Sequence, residues 1–235
     1  SGGKVYTVGA MGNLFCLDAQ NGKVLWSHDF KADYHANIPM WGCAGHPLLD
    51  GDKLICLVGG EGSVAVAFHK DTGKEIWRSL TAREPGYCPP TLINAGGQRQ
   101  LIIWHPQAVN SLDPETGKVF WSYPWDVKAG LCVATPRLSG DLLLLSSFYT
   151  GSKCFRLDAS KPSATLAWEG KSFSERNTDT LHSLMSTPFI EGDYIYGICS
   201  YGQLRCLKLS TGERVWESLA ATGSTGDNRV QNNRW

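Results

Sequence analysis

The chain has 235 residues, 42% of them hydrophobic, and its 22 basic residues are balanced by 22 acidic ones. That balance removes the long-range pull of a basic groove on nucleic acid or an anionic membrane, and the apolar fraction excludes a disordered chain. The longest aliphatic run, Leu142 to Leu145, is far short of the roughly 20 apolar residues of a membrane helix, so no transmembrane segment is expected.

In chain order, "KVYTVG" reads as a strand, "GAMGN" as a glycine turn, "LFCLD" as a second strand, and "DAQNGKVLW" (Asp18 to Trp26) as a turn leading into a third. The same phrase returns. "HPLLDGDKLICLV", "GGEGS" and "VAVAF" lead to "HKDTGKEIW" (His69 to Trp77), and a divergent "PPTLINAGGQRQLIIW" precedes "DPETGKVFW" (Asp113 to Trp121). "TPRLSGDLLLLSS" then leads to a weaker copy, Asp158 to Trp168, whose turn is two residues longer and lacks the glycine. Finally "TPFIEGDYIYGIC", "SYGQ" and "LRCLKL" lead to "KLSTGERVW" (Lys208 to Trp216), followed by a polar tail over 217–235.

Trp26, Trp77, Trp121, Trp168 and Trp216 are separated by 51, 44, 47 and 48 residues, a period at which one supersecondary unit repeats. Each unit reads as four short antiparallel strands, and no stretch shows sustained helical periodicity. The expectation is an all-β β-propeller of four-stranded antiparallel blades in one domain, 1–235. It holds a partial blade over 1–26 and blades at about 27–78, 79–121, 122–168 and 169–216.

The repeat has a packing reason. A glycine at Gly22, Gly73, Gly117 and Gly212 permits a positive-φ turn and leaves bare peptide, over which a tryptophan can spread its ring on a neighbouring blade. Six residues before each glycine stands a small residue, Cys16, Ala67, Ser111 or Cys206, which lets sheets approach closely. Gly22, Trp26, Gly73, Trp77, Gly117, Trp121, Trp168, Gly212 and Trp216 are therefore expected to be structural docking residues. The eight cysteines include no Cys-x-x-Cys; Cys16, Cys56, Cys154, Cys199 and Cys206 lie in apolar runs and are expected to be buried thiols.

At these residues the chain resembles the quinoprotein-like β-propellers, whose docking motif runs Ala-x-Asp-x-x-Thr-Gly-Lys-x-x-x-Trp. It is most similar to bacterial PQQ-binding-like β-propeller repeat proteins, with "GKVYTVGAMGNLFCLDAQNGKVLW" and "GHPLLDGDKLICLVGG" carrying the likeness. The resemblance implies export to the periplasm or secretion, although "SGGKVYTVG" has no signal-peptide pattern. It also implies a ring of about eight blades, roughly 380 residues at this period, so about five blades form an incomplete arc with uncovered terminal faces, open to self-association or to further blades.

Enzymes of that superfamily clamp pyrroloquinoline quinone between a tryptophan and a disulfide of adjacent cysteines, beside a calcium ion held by Glu, Asn and Asp. This sequence has no Cys-Cys pair and no grouped Glu, Asn and Asp, so the expectation is no cofactor and a non-catalytic binding scaffold. The alternative is a quinone-dependent alcohol or sugar dehydrogenase whose cofactor and calcium site lies partly outside this chain.

Ligands of propellers bind where inter-blade loops converge, here Ser27 to Gly45, Ser79 to Cys88, Ser122 to Ala134 and Glu169 to Ser186. A channel mouth lined by His35, Trp41, His46, Tyr87, Arg137 and His182 is the expected site for a protein or small-molecule ligand. His46 and His182 are also read as hydrogen-bonding to the channel wall. Cys43, His46 and His182 supply thiolate and imidazole but no evident fourth ligand, so no metal is assigned. No Gly-x-Ser-x-Gly elbow is present, and no catalytic residue is assigned.

Overall fold

The computed structural model describes residues 1–223; the remainder of the expected tail, 224–235, lies outside the described residues. Five antiparallel sheets follow one another along the chain. The first has three strands, β1 (Lys4–Val8), β2 (Asn13–Asp18) and β3 (Val24–Asp29). The others have four. They are β4 (Leu48–Asp50), β5 (Lys53–Leu57), β6 (Ala65–His69) and β7 (Glu75–Ser79); then β8 (Thr91–Ala95), β9 (Gln98–His105), β10 (Ala108–Leu112) and β11 (Val119–Pro124). The fourth sheet is β12 (Arg137–Ser139), β13 (Leu142–Ser147), β14 (Gly151–Leu157) and β15 (Ala164–Glu169). The fifth is β16 (Phe189–Glu191), β17 (Tyr194–Ile198), β18 (Leu204–Lys208) and β19 (Arg214–Ser218). Strand order follows chain order in every sheet, so each is the meander of a propeller blade.

These elements belong to two compact units. One comprises Ser1–Leu92 with Arg99–Asp126, the other Ile93–Gln98 with the chain from Val127 onward. In the first unit, Leu14, Leu54, Cys56, Val66 and Phe68 close the space between the first two sheets. Ile55, Leu57, Ala65, Ala67, Leu101 and Ile103 do the same between the second and third. Adjacent residues of β5, Leu54 and Ile55, thus serve opposite cores, as the two-residue period of a strand requires when both faces are covered. In the second unit Leu144, Cys154, Ile195 and Leu207 form the corresponding core.

The small residue before each docking turn has a definite place in the sheet. Cys16, Ala67, Ser111, Cys154 and Cys206 each pair directly with Trp26, Trp77, Trp121, Trp168 and Trp216. A side chain smaller than the indole opposite it leaves the ring room on the shared face. In every sheet the register slips immediately after that pair, so one extra residue bulges out of the tryptophan strand. The bulged residues include Leu25, Ile76 and Val215, which accounts for three exposed aliphatic side chains within regular strands.

The rings of Trp26, Trp77 and Trp168 then meet the turn of the following sheet. A Cβ added at Gly73 would come within 2.8 Å of the Trp26 ring, and one at Gly117 within 2.6 Å of Trp77. In the second unit a Cβ at Gly212 would come within 2.5 Å of Trp168. These three glycines have φ between +71° and +72°. At these three junctions the indole N–H donates to the carbonyl three residues before the glycine: Trp26 to Lys70, Trp77 to Pro114 and Trp168 to Leu209, at 3.0, 3.1 and 2.7 Å. Trp121 differs, its indole N–H donating to Gln100 Oε1 within its own sheet at 3.1 Å.

Candidate functional site

In the first unit the segment after β3 forms a strap that the repeat pattern does not announce. Asp29 caps a five-residue helix, α1 (Phe30–Tyr34), by accepting from the N–H groups of Lys31 and Ala32, and His35 ends it in a left-handed conformation. Five residues are too few to show helical periodicity, so a cap and two buried aromatics, Phe30 and Tyr34, define it instead. Tyr34 Oη donates to Glu75 Oε2 at 2.8 Å, tying the helix to β7.

Beyond α1 the chain turns back onto the β1–β2 hairpin. Cys43 N donates to Ala10 O at 2.9 Å, and a Cβ at Gly42 would lie 2.8 Å from that oxygen, so the close approach needs glycine there. This crossing sets Trp41 beside Tyr87, with ring centroids 5.8 Å apart and the Trp41 N–H donating to Tyr87 Oη at 3.4 Å. Tyr87 is buried beneath, whereas Trp41 is 57% exposed and Met40 84% exposed. Asn37 Nδ2 donates to Arg83 O at 3.4 Å, so the strap and the segment after β7 run side by side. His35 and His46 are exposed on the same strap, His46 donating from Nδ1 to Pro47 O at 3.2 Å.

In the second unit His182 is fully buried. Its Nδ1–H donates to Phe148 O at 3.1 Å, and Nε2 lies 3.4 Å from Asp179 Oδ1. Burial pushes its pKa below the usual histidine value, and the two acceptors offset part of that fall. Around it, Asp179 accepts from the N–H groups of Lys171, Ser172 and Thr180. Ser146 and Ser152 both donate to Leu181 O. The buried Arg205 guanidinium holds Thr180 O, Thr178 Oγ1 and Glu217. His182 is one post in a polar scaffold that fixes the loop between β15 and β16. Arg137 is half spent as well, its Nε donating to Pro188 O at 3.0 Å.

Of the six residues expected at a mouth, Trp41 and Tyr87 touch, His35 and His46 share their strap, and Arg137 and His182 stand in separate hydrogen-bonded settings. Residue patterns did not single out other aromatics that the structure groups. Trp104 is fully buried and stacks on Trp125, centroids 4.9 Å apart, with its indole N–H unpaired. Phe148 packs against Tyr149 and Tyr201, and Lys128 Nζ lies 4.4 Å above the Tyr149 ring. The signal for the second group was present: aromatics occupy the turn between second and third strands in both "SSFYTG" and "CSYGQ".

A family model described as "Outer membrane protein assembly factor BamB" matches residues 1–218. The chain belongs to that family. Among curated proteins it is similar to the quinoprotein ethanol dehydrogenase of Pseudomonas aeruginosa, 27% identical over 142 residues, which is 53% of this chain and 22% of that enzyme. The Pseudomonas putida quinoprotein ethanol dehydrogenase is 26% identical over 140 residues, again 22% of the enzyme. The chain therefore spans about a fifth of these relatives. Among solved structures, BamB from Moraxella catarrhalis superposes with a TM-score of 0.62 at 19% identity, over 92% of this chain and 58% of that one. Quinohemoprotein alcohol dehydrogenase from Comamonas testosteroni gives 0.59 at 14% identity, over 92% and 41%. At these identities the structural likeness is one of fold.

All eight cysteines are free thiols, and no two are adjacent in sequence. Among the described residues no three His, Cys, Asp or Glu side chains gather where they could hold a metal ion. What the first unit does offer is apolar: an exposed Met40–Trp41 pair held on a glycine-pinned strap over a buried tyrosine.

Proposed function

We propose that this chain is part of a non-catalytic binding scaffold that engages a protein partner through the strap carrying Met40 and Trp41. The observation that carries this reading is the large exposed indole held in place by Tyr87, Gly42 and Cys43, since a rigid aromatic anchor loses little entropy on binding. The family description, with its reference to outer membrane protein assembly, supports both a protein partner and a periplasmic or secreted location. On this reading the sheets belong to a single propeller domain, and His35, His46 and Tyr87 frame the contact.

Site-specific photo-crosslinking tests it. A photoreactive residue at Met40 in the full-length protein is expected to capture a discrete partner that one at Lys74, on a docking turn, does not. Trp41→Ala is expected to weaken that partner by roughly thirtyfold, as loss of an interface hot spot of about 2 kcal/mol implies. Equal capture from both positions, with Trp41→Ala unchanged, would remove the assignment.

The similarity to quinoprotein ethanol dehydrogenases favours a second reading, a quinone-dependent alcohol or sugar oxidation for which this chain supplies structural blades and other parts of the protein the cofactor site. Binding of pyrroloquinoline quinone and calcium by the full-length protein separates the two.

A further inference from the structure

Methionine is used in this chain only on the surface. Its three methionines, Met11, Met40 and Met185, are 56%, 84% and 65% exposed, and all three lie in turns or loops outside the strands. The buried clusters between sheets hold aliphatic, aromatic and cysteine side chains and no methionine. Sulfur is thus divided by its chemistry, with seven of the eight thiols inside and every thioether outside. A flexible, polarizable side chain that commonly fills gaps in cores is here kept out of them, so the fold does not depend on its oxidation state.

Two of the three belong to the strap and to the turn it grips. The strap crosses the β1–β2 turn at Ala10, through Gly42 and the Cys43 N–H, and again at Gly12, where an added Cβ would lie 2.9 Å from Ile38 Cδ1. Met11 stands between those two points, and Met40 precedes Trp41 on the strap itself. The strap also carries Cys43, half-buried, and burial pushes its thiol above the usual range while Lys31 opposes part of the rise. Peroxide attacks a thiolate, whereas a thioether needs no deprotonation. At neutral pH the reactive sulfur of the strap is therefore the exposed thioether.

We propose that Met40, together with Met11 in the gripped turn, is a reversible oxidation site that switches the strap from an apolar to a polar surface. In the forward step the sulfur lone pair attacks one oxygen of hydrogen peroxide, an S–O bond forms as the O–O bond breaks, and the departing hydroxide takes the remaining proton and leaves as water. Sulfur gives up two electrons and the peroxide accepts them. In the reverse step two thiols of a reductase return two electrons, form a disulfide and release the oxygen as water. That the switched surface docks a partner rests on the reading above; the oxidation itself does not. A sulfoxide oxygen is an acceptor that an apolar contact leaves unpaired, so oxidation releases the partner while the sheets stay folded.

Peptide mass mapping of the full-length protein treated with hydrogen peroxide at neutral pH tests the site. Met40 is expected to gain one oxygen ahead of Met185 and Met11, in the order of their exposure, with Cys43 unmodified and the β circular dichroism unchanged. Methionine sulfoxide reductases for both epimers, with dithiothreitol, should remove it. A photoreactive residue at Ala44, exposed on the strap, reads the consequence. Capture of its discrete partner is expected to fall by roughly tenfold or more on oxidation and to return on repair. It should persist under peroxide when Met11→Leu and Met40→Leu are combined, and fall as in the parent with Met185→Leu, a change in the other unit. Met40 left unmodified while Met185 is oxidised, Cys43 oxidised first, or capture indifferent to oxidation would overturn the proposal. Absence of capture from the untreated protein would remove the docking reading instead, and the mass map alone would then decide the oxidation site.

Discussion

At the scale of single residues, the docking glycines divide by what a side chain would strike. Gly73 and Gly117 both need a positive φ and lie under an indole, so alanine at either incurs backbone strain and a clash with a ring fixed by its own hydrogen bond. At Gly22 only the backbone term applies. Urea unfolding is expected to show Gly73→Ala and Gly117→Ala destabilising by about 2–4 kcal/mol and Gly22→Ala by about 1 kcal/mol. Equal losses at all three positions would mean that the rings play no part. A second residue-scale effect is set by His105, buried at the end of β9 with Nδ1 accepting from Gln107 N, where burial pushes its pKa down to about 4. The unfolded chain binds that proton at about pH 6.5, so the contribution is complete above 6.5 and lost as pH falls towards 4. His105→Gln is expected to remove about 3 kcal/mol of the decline over that window, read from urea midpoints at pH 7 and pH 4.5. His182 has the same sign in its own unit.

At the scale of elements, the loop between β15 and β16 is held by side chains rather than by its own strands. Asp179 alone accepts three backbone N–H groups, which keeps its carboxyl below the usual range against the opposing effect of burial. Asp179→Ala is expected to leave the sheets intact and expose Lys171 and Arg176 to trypsin, raising cleavage there at least tenfold. Unchanged cleavage would place the loop's order elsewhere. The strands and turns were legible in the sequence because each depends on residues within one repeat: a proline-led strand, a Gly-Asp turn, a small residue paired with Trp. The straps were not. α1 rests on a cap and two buried rings, and the Trp41–Tyr87 contact joins segments 46 residues apart. Trp121 marks where a local reading stopped. The turn of Asp158 to Trp168 lacks the repeat's glycine, and the Trp121 indole N–H goes to Gln100, a partner no motif specifies.

At the scale of the whole molecule, the repeat answers how such a chain is built and leaves its chemistry to what is mounted on it. The cysteines show the difference. Seven of the eight are buried thiols among apolar neighbours, and burial pushes those of Cys56 and Cys154 well above the usual thiol range, Cys154 to about 12. They fill space as small hydrophobes. The most direct test of a scaffold against a quinoprotein is titration calorimetry of the full-length protein with pyrroloquinoline quinone and calcium, followed by dye reduction with alcohols and sugars. The scaffold predicts no stoichiometric binding and no alcohol-dependent reduction; tight one-to-one binding with alcohol-dependent dye reduction would contradict it.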